Sequence, residues 1–173
     1  SSALVSLEAG EDNGAGTDCA LAIVPVQVKM ANGSKSALTY AFLDSGSSAT
    51  FCTEKLMRQL QAKGSETEIL LQTMGQDSPT RSFDISGLEI GNVEGDTFLA
   101  LPKVYTQNKI PVTRENIPTQ KDLKRWPYLK EVQLKEIDAD VELLIGVNAP
   151  KAMEPWKIIN SQGNGPYAVK DRK

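Results

Sequence analysis

Short apolar runs rich in β-branched residues, each ended by a turn signal, recur along most of this chain. The clearest pair is 19–30 and 36–43, with Asn32-Gly33 between them. Asn-Gly between two such runs is a strong hairpin signal and favours a type I′ turn. We therefore expect a mainly β fold that begins with a hairpin.

Turn-forming residues divide the rest of the chain into further strands. The segments Gly75-Gln76-Asp77-Ser78-Pro79 and Gly91-Asn92-Val93-Glu94-Gly95 are typical of hairpin turns. Later, Val141-Glu142-Leu143-Leu144-Ile145-Gly146 has the composition of a buried strand that ends at a glycine. The pattern predicts strands at about 67–74, 81–90, 96–104, 141–146, 156–159 and 167–170.

One short helix is predicted directly after the first hairpin. Thr53 is a suitable N-cap, and Leu56, Met57 and Leu60 share one face of the helix that would follow it. Gly64 stands where a left-handed residue could end this helix. This helix is therefore a short element within a fold that consists mainly of strands.

The 173 residues fit one domain with one core, and 40% hydrophobic and 24% charged residues are ordinary for a globular protein. We expect a flexible leader over 1–18, a domain over 19–173, and an insertion at about 105–140, where prolines and charges interrupt the strand pattern. No apolar run is long enough to span a bilayer, and no basic stripe indicates a nucleic-acid surface.

The chain has no histidine, and this excludes several classes of enzyme. A Ser/His/Asp hydrolase, a Cys/His peptidase and a histidine-ligated zinc site all need that residue within the chain. Cys19 and Cys52 lack the spacing of a zinc or redox pair and are interpreted as reduced thiols of a cytoplasmic protein. Carboxylate or lysine chemistry remains.

The candidate for carboxylate chemistry is Asp44-Ser45-Gly46, which follows the apolar strand Ala41-Phe42-Leu43. Three such residues alone usually mark an ordinary turn. Here the strand end before the aspartate and the small residues after it would let the carboxylate point into a groove. The similar Asp84-Ile85-Ser86-Gly87 lacks a Ser or Thr directly after the aspartate.

Taken with Leu144-Ile145-Gly146, the run Phe42-Leu43-Asp44-Ser45-Gly46-Ser47 resembles the signature of the retropepsin-like aspartic peptidases. A closer likeness is to the peptidase segment of BEL/Pao-type LTR retrotransposon polyproteins. It covers most of the chain through Leu101-Pro102-Lys103-Val104-Tyr105, Ile117-Pro118-Thr119, Trp126-Pro127-Tyr128-Leu129, Asp138-Ala139-Asp140-Val141-Glu142-Leu143-Leu144-Ile145-Gly146 and Gly165-Pro166-Tyr167-Ala168-Val169.

This resemblance implies a retropepsin-like closed β-barrel or sandwich with short helices, active as a two-fold homodimer. It implies an endopeptidase without cofactor or metal that processes a Gag-Pol polyprotein, in the cytoplasm or within a virus-like particle. Asp44 would supply one of two catalytic carboxylates. Ser45, Gly46 and Ser47 would support the loop and the dimer, Met74, Gly75 and Gln76 would form the flap tip, and Leu144, Ile145 and Gly146 the second-glycine strand.

Two departures and one alternative remain. Many retroviral members carry an acidic residue and an arginine near the dimer interface, at the places that Ser48 and Val147 occupy here. The acidic run Asp138, Asp140 and Glu142 is interpreted as a strand face rather than as a cation site. The alternative function is a catalytically silent module of the same fold that dimerises or binds peptides.

Overall fold

The computed structural model describes residues 3–5, 22–73, 76–124, 126–129, 133–153, 156–159 and 168–171. Across these ranges the chain is mainly β, with twelve strands, three short α-helices and two 3₁₀ turns. The prediction of a mainly β protein with a few short helices is therefore confirmed.

The strands are β1 (Ala3–Val5), β2 (Ala22–Met30), β3 (Ser36–Leu43), β4 (Thr50–Thr53), β5 (Ser65–Thr73), β6 (Gln76–Ile85), β7 (Leu88–Gly91), β8 (Phe98–Ala100), β9 (Val104–Gln107), β10 (Val141–Ile145), β11 (Trp156–Ile159) and β12 (Ala168–Asp171). The α-helices are α1 (Glu54–Gln59), α2 (Gln120–Leu123) and α3 (Pro150–Met153), and the 3₁₀ turns are Arg114–Asn116 and Pro127–Leu129.

Nine of these strands form one mixed sheet in the order β5-β6-β9-β4-β10-β3-β2-β7-β8. Its hydrogen-bonding order is open, with β5 and β8 at the two edges, whereas the resemblance implies a closed barrel or sandwich. A separate three-stranded sheet has the order β1-β12-β11. Strand β1 lies within 1–18, the range expected to be a flexible leader, and the rest of that range is outside the described residues.

The first hairpin is confirmed, but its predicted turn type is wrong. Strands β2 and β3 pair antiparallel from Ala22↔Leu43 to Lys29↔Ser36. A type I′ turn needs positive φ at both central residues, and positive φ among the described residues occurs only at Gln61, Gly87 and Gly95. Residues 31–35 join the strands, so the link is long enough to turn without mirror-image geometry.

Helix α1 begins as predicted and ends earlier than predicted. The hydroxyl of Thr53 accepts the N–H of Leu56 at 3.1 Å, which satisfies one of the free donors of the first turn. The left-handed residue after the helix is Gln61, with φ 52°, and not Gly64. A Cβ at Gly64 would lie 2.7 Å from the carbonyl oxygen of Asp84, so a close backbone approach explains this glycine.

Two predicted strands are each divided in the structure. The run 81–90 breaks at Ser86-Gly87, where φ of Gly87 is +88°. Its first part is the end of β6 and its second part is β7, and these two strands lie near opposite edges of the nine-stranded sheet. The run 96–104 breaks at 101–103 into β8 and β9. Because β9 lies between β4 and β6, residues 105–107 belong to the sheet and not to the predicted insertion.

The centre of the sheet supplies most of the core. All five residues of β10 are buried, as are Ile23, Val24, Val26 and Val28 of β2. Leu56 of α1 is fully buried beside them. Each fully buried apolar side chain among these stabilises the fold by about 1.5–3 kcal/mol when it leaves water, which does not apply to the buried carboxylate of Glu142. The ends of β3 and β10 are therefore held by a packed core, and the Asp44 motif follows at that end.

Candidate active site

The Asp44 loop, defined as residues 44–49, crosses the carboxyl end of β10. The chain enters the loop from β3, which runs parallel to β10, and leaves it through β4, which runs antiparallel to β10. Strand β10 is thus inserted between the two strands that flank the loop. Residues roughly 100 positions apart in sequence meet here because β3, β10 and β4 are neighbours in the sheet.

Backbone hydrogen bonds fix the loop to the end of β10. The N–H of Asp44 donates to the carbonyl of Ile145 at 2.9 Å, and the N–H of Val147 donates to the carbonyl of Ser47 at 2.9 Å. Within the loop, the N–H of Ser47 donates to the carbonyl of Asp44 at 3.2 Å. Both arms of the loop are therefore bound to the segment after β10.

Gly146 lies inside this loop and is buried. A Cβ built on it would be 2.3 Å from the carbonyl oxygen of Ala49 and 2.6 Å from that of Ser47. Both neighbours are backbone atoms, which cannot rotate away as a side chain can. The glycine at this position is required by close packing of two backbone segments.

The Asp44 side chain is half-buried at the strand end, and its Oδ1 accepts the N–H of Gly46 at 2.8 Å. Ser45 and Gly46 are exposed. The Ser47 hydroxyl donates to the carbonyl of Ala49 at 2.7 Å, which closes the second half of the loop. The carboxylate is thus oriented by its own loop while its surroundings stay open to solvent.

The structure brings Asp44, Ser45, Gly46 and Ser47 together with the second-glycine strand, since Leu144 and Ile145 pair with Phe42 and Leu43. The flap candidate forms a hairpin of β5 and β6 that pairs from Ser65↔Asp84 to Thr73↔Gln76. Of its predicted tip, Met74 and Gly75 lie outside the described residues. Sheet order separates β6 from β3 by three strands, so strand pairing alone does not set the hairpin over Asp44.

Sequence analysis missed two residues of this site, Thr50 and Asn148. The Thr50 hydroxyl accepts the N–H of Gly146 at 3.2 Å and donates to Oδ1 of Asn148 at 2.8 Å. Thr50 is fully buried. In the sequence it is one more β-branched residue at a strand start, and no local signal indicates its partners.

A cleft of about 500 Å³ lies at the end of β10 away from the Asp44 loop. The acidic run borders it and is matched by cations: Arg114 pairs with Asp138 and Asp140, and Lys55 pairs with Asp140 and Glu142. Hydrogen bonding to Arg114 lowers the pKa of Asp140, and the same contacts raise the pKa of Arg114. The charges of this run are thus paired with basic side chains.

The thiol of Cys52 is unsuited to nucleophilic chemistry. Its burial, and secondarily the charge of Glu142, raise its pKa to about 12, so the reactive thiolate is scarce near neutral pH. Cys52 belongs to β4 and pairs with Leu143. It acts as a small apolar residue of the core.

No family model matches the chain, and comparisons with curated proteins and with solved structures give no match either. Among the helices of the described ranges, none has the length and apolar character needed to cross a membrane.

Proposed function

We propose that this chain is one half of a homodimeric, retropepsin-like aspartic endopeptidase in which Asp44 of each chain supplies one catalytic carboxylate. The observation that carries the proposal is the loop of Asp44 wrapped around Gly146 at the end of β10. It holds a half-exposed carboxylate on a backbone that is hydrogen-bonded to the core strand, and acid–base catalysis requires such a positioned group. The resemblance to BEL/Pao-type peptidases supports the same proposal.

A second chain is needed because the sequence holds a single Asp-Ser/Thr-Gly. The similar Asp84 lies within β6, where its Cα pairs with Tyr105 and its carboxylate forms an ion pair with Lys103 at 3.7 Å. That aspartate is paired on both sides within the sheet, with Ser65 of β5 and Tyr105 of β9, whereas Asp44 lies beyond the end of its strand. An isologous two-fold dimer whose axis passes beside Asp44 would set this residue next to its symmetry copy without any further residue.

Two carboxylates at hydrogen-bonding distance share one proton, because both cannot be charged at low cost. The ionised Asp44 would accept a proton from water as that water attacks the scissile carbonyl carbon. The protonated Asp44 of the other chain would donate to the carbonyl oxygen. The resulting tetrahedral intermediate then loses its amine, so the mechanism uses neither a covalent enzyme intermediate nor a metal.

The substrate proposed is a retrotransposon Gag-Pol polyprotein, cleaved in the cytoplasm or within a virus-like particle. The direct test mixes the purified chain with a peptide library, with and without a pepstatin-like inhibitor. Inhibitor-sensitive cleavage supports the enzyme. Peptide binding or dimerisation without cleavage supports instead the catalytically silent module of the same fold.

A shared active site makes activity depend on assembly. On dilution through the range where sedimentation detects monomers, we expect specific activity to fall. In an equal mixture with Asp44→Asn chains, activity per wild-type chain should fall to about half by random pairing. Asp84→Asn chains are the matched control and should not inhibit. Activity per chain that stays constant through dissociation would refute the two-chain site.

The pH profile tests the chemistry separately. With no histidine in the chain, we expect kcat/KM to be bell-shaped with its optimum on the acidic side of neutrality. Only the singly protonated carboxylate pair contains both a base and an acid. The profile should be measured well above the dimer dissociation constant. Activity that rises steadily into the alkaline range, or that is lost with a chelator, would contradict the mechanism.

A further inference from the structure

The hydroxyl of Thr50 occupies a junction between the Asp44 loop and the turn after β10. It accepts the N–H of Gly146 at 3.2 Å and donates its own proton to Oδ1 of Asn148 at 2.8 Å. Thr50 has no exposed surface, and Gly146 is buried. Removal of the hydroxyl would therefore leave a buried N–H without this acceptor.

The neighbours of Gly146 on either side are bound to the same loop. Ile145 accepts from the N–H of Asp44, and Val147 donates to the carbonyl of Ser47. Thr50 adds the third point of attachment, at the end of the loop where β4 begins. Three successive residues of one strand end thus hold the start, middle and end of the loop that carries Asp44.

Asn148 extends this attachment past the glycine. Its side-chain oxygen accepts the hydrogen bond that the Thr50 hydroxyl donates. This orients the hydroxyl so that its oxygen can accept the N–H of Gly146. Ser48 and Val147 occupy the places that carry a charged contact in many of the retroviral peptidases that the chain resembles, and both are exposed. A neutral hydrogen bond between Thr50, two residues after Ser48, and Asn148, one residue after Val147, joins the same two segments.

We propose that Thr50 and Asn148 are positioning residues, which set the orientation of Asp44 through the Gly146 turn and contact no substrate themselves. The inference rests on the proposed peptidase function. A catalytic group must be held to within a fraction of an ångström, and a misplacement of about 1 Å can cost about a hundredfold in rate. Loss of the hydroxyl should therefore lower kcat more than it changes KM.

The test compares Thr50→Val, which removes the hydroxyl at nearly constant shape, with Thr50→Ser, which keeps it. Active sites are titrated with a pepstatin-like inhibitor, so that kcat refers to folded sites only. We expect kcat per titrated site to fall about 10–100-fold in Thr50→Val with little change in KM, and to stay within about threefold in Thr50→Ser. Asn148→Ala, at an exposed position, should show a smaller fall of the same kind.

Thr106→Val is the matched control. Thr106 is equally buried, and its hydroxyl accepts the N–H of Phe83 at 2.9 Å, but it lies in β9 away from the Asp44 loop. This variant loses a comparable buried hydrogen bond and should keep kcat per titrated site. Wild-type kcat in Thr50→Val, or an equal fall in Thr50→Ser or Thr106→Val, would overturn the inference.

Hydrogen exchange gives a readout that needs no activity. In Thr50→Val, the amides of Asp44, Ser47 and Val147 should exchange faster, while those of Val28 and Leu56 keep their wild-type rates. Unchanged exchange in the loop, or uniform acceleration throughout the chain, contradicts the inference whatever the activity. A wild-type chain without inhibitor-sensitive cleavage contradicts the proposed function instead, and with it the catalytic part of this inference.

Discussion

Asp44→Asn is expected to lower the rate of peptide cleavage by about 10³-fold or more, since it removes both the general base and the general acid of the proposed pair. The fold and the dimer should survive. The side-chain Oδ1 of Asp44 accepts the Gly46 N–H at 2.8 Å, and the amide oxygen of asparagine can accept the same bond. Initial rates, thermal unfolding and sedimentation measure the three properties on one preparation.

Asp84→Asn is the matched control, because the sequence around it imitates the motif without its structural setting. Its carboxylate pairs with Lys103, and its side chain is 25% exposed. We expect wild-type cleavage and at most a small loss of stability, as is usual for a partly exposed ion pair. Substantial turnover in Asp44→Asn, or equal inactivation of Asp84→Asn, would show that the catalytic carboxylate has been misassigned.

Local sequence signals are sufficient to predict the elements that are bounded by a clear turn or capping residue. The hairpin of β2 and β3 and the Thr53 cap of α1 follow from neighbouring residues alone. The type I′ turn predicted at Asn32-Gly33 is wrong because the strands stop pairing at Lys29 and Ser36. The link between the strands is therefore longer than the two-residue turn that this prediction assumes. The sequence pattern locates a turn better than it defines the turn's geometry.

Changes of strand partner could not be read from hydrophobicity. Residues 81–90 keep a continuous strand pattern, yet β6 pairs with β9 and β7 pairs with β2. The break depends on positive φ at Gly87 and on the N–H of Ala31, which donates to the Gly87 carbonyl at 2.8 Å. Such a contact is visible only once the whole sheet is assembled.

The candidate site shows the same difference between residues with a local sequence signal and residues defined by long-range contacts. Asp44 and Gly146 were identified from short motifs, and the structure joins them through Ile145 and Ser47. The bond between Thr50 and Asn148 links residues 98 positions apart and involves two ordinary polar side chains. Sequence reasoning finds residues that carry chemistry more readily than residues that hold them in place, because the latter are defined by distance in space.

Gly146→Ala should be the most destabilising single-methyl change in the described part of the site. Its Cβ would lie 2.3 Å from the Ala49 carbonyl oxygen and 2.6 Å from that of Ser47, so the loop or the end of β10 must move. Overpacking of this kind costs about 3 kcal/mol, and here it also displaces the backbone hydrogen bonds of the loop. Denaturant unfolding should therefore show a large shift of the midpoint, accompanied by loss of cleavage.

Gly33→Ala adds the same methyl group at an exposed hairpin link, where the nearest atom is the Met30 Cβ at 3.0 Å and the nearest backbone atom is at 3.6 Å. Both variants lose similar backbone freedom in the unfolded chain, so the difference between them isolates the contacts in the folded state. We expect Gly33→Ala to change stability by about 1 kcal/mol or less. If Gly146→Ala unfolds at the same denaturant concentration as Gly33→Ala, the Asp44 loop does not close around Gly146. The support proposed for the catalytic carboxylate would then have to come from another part of the chain.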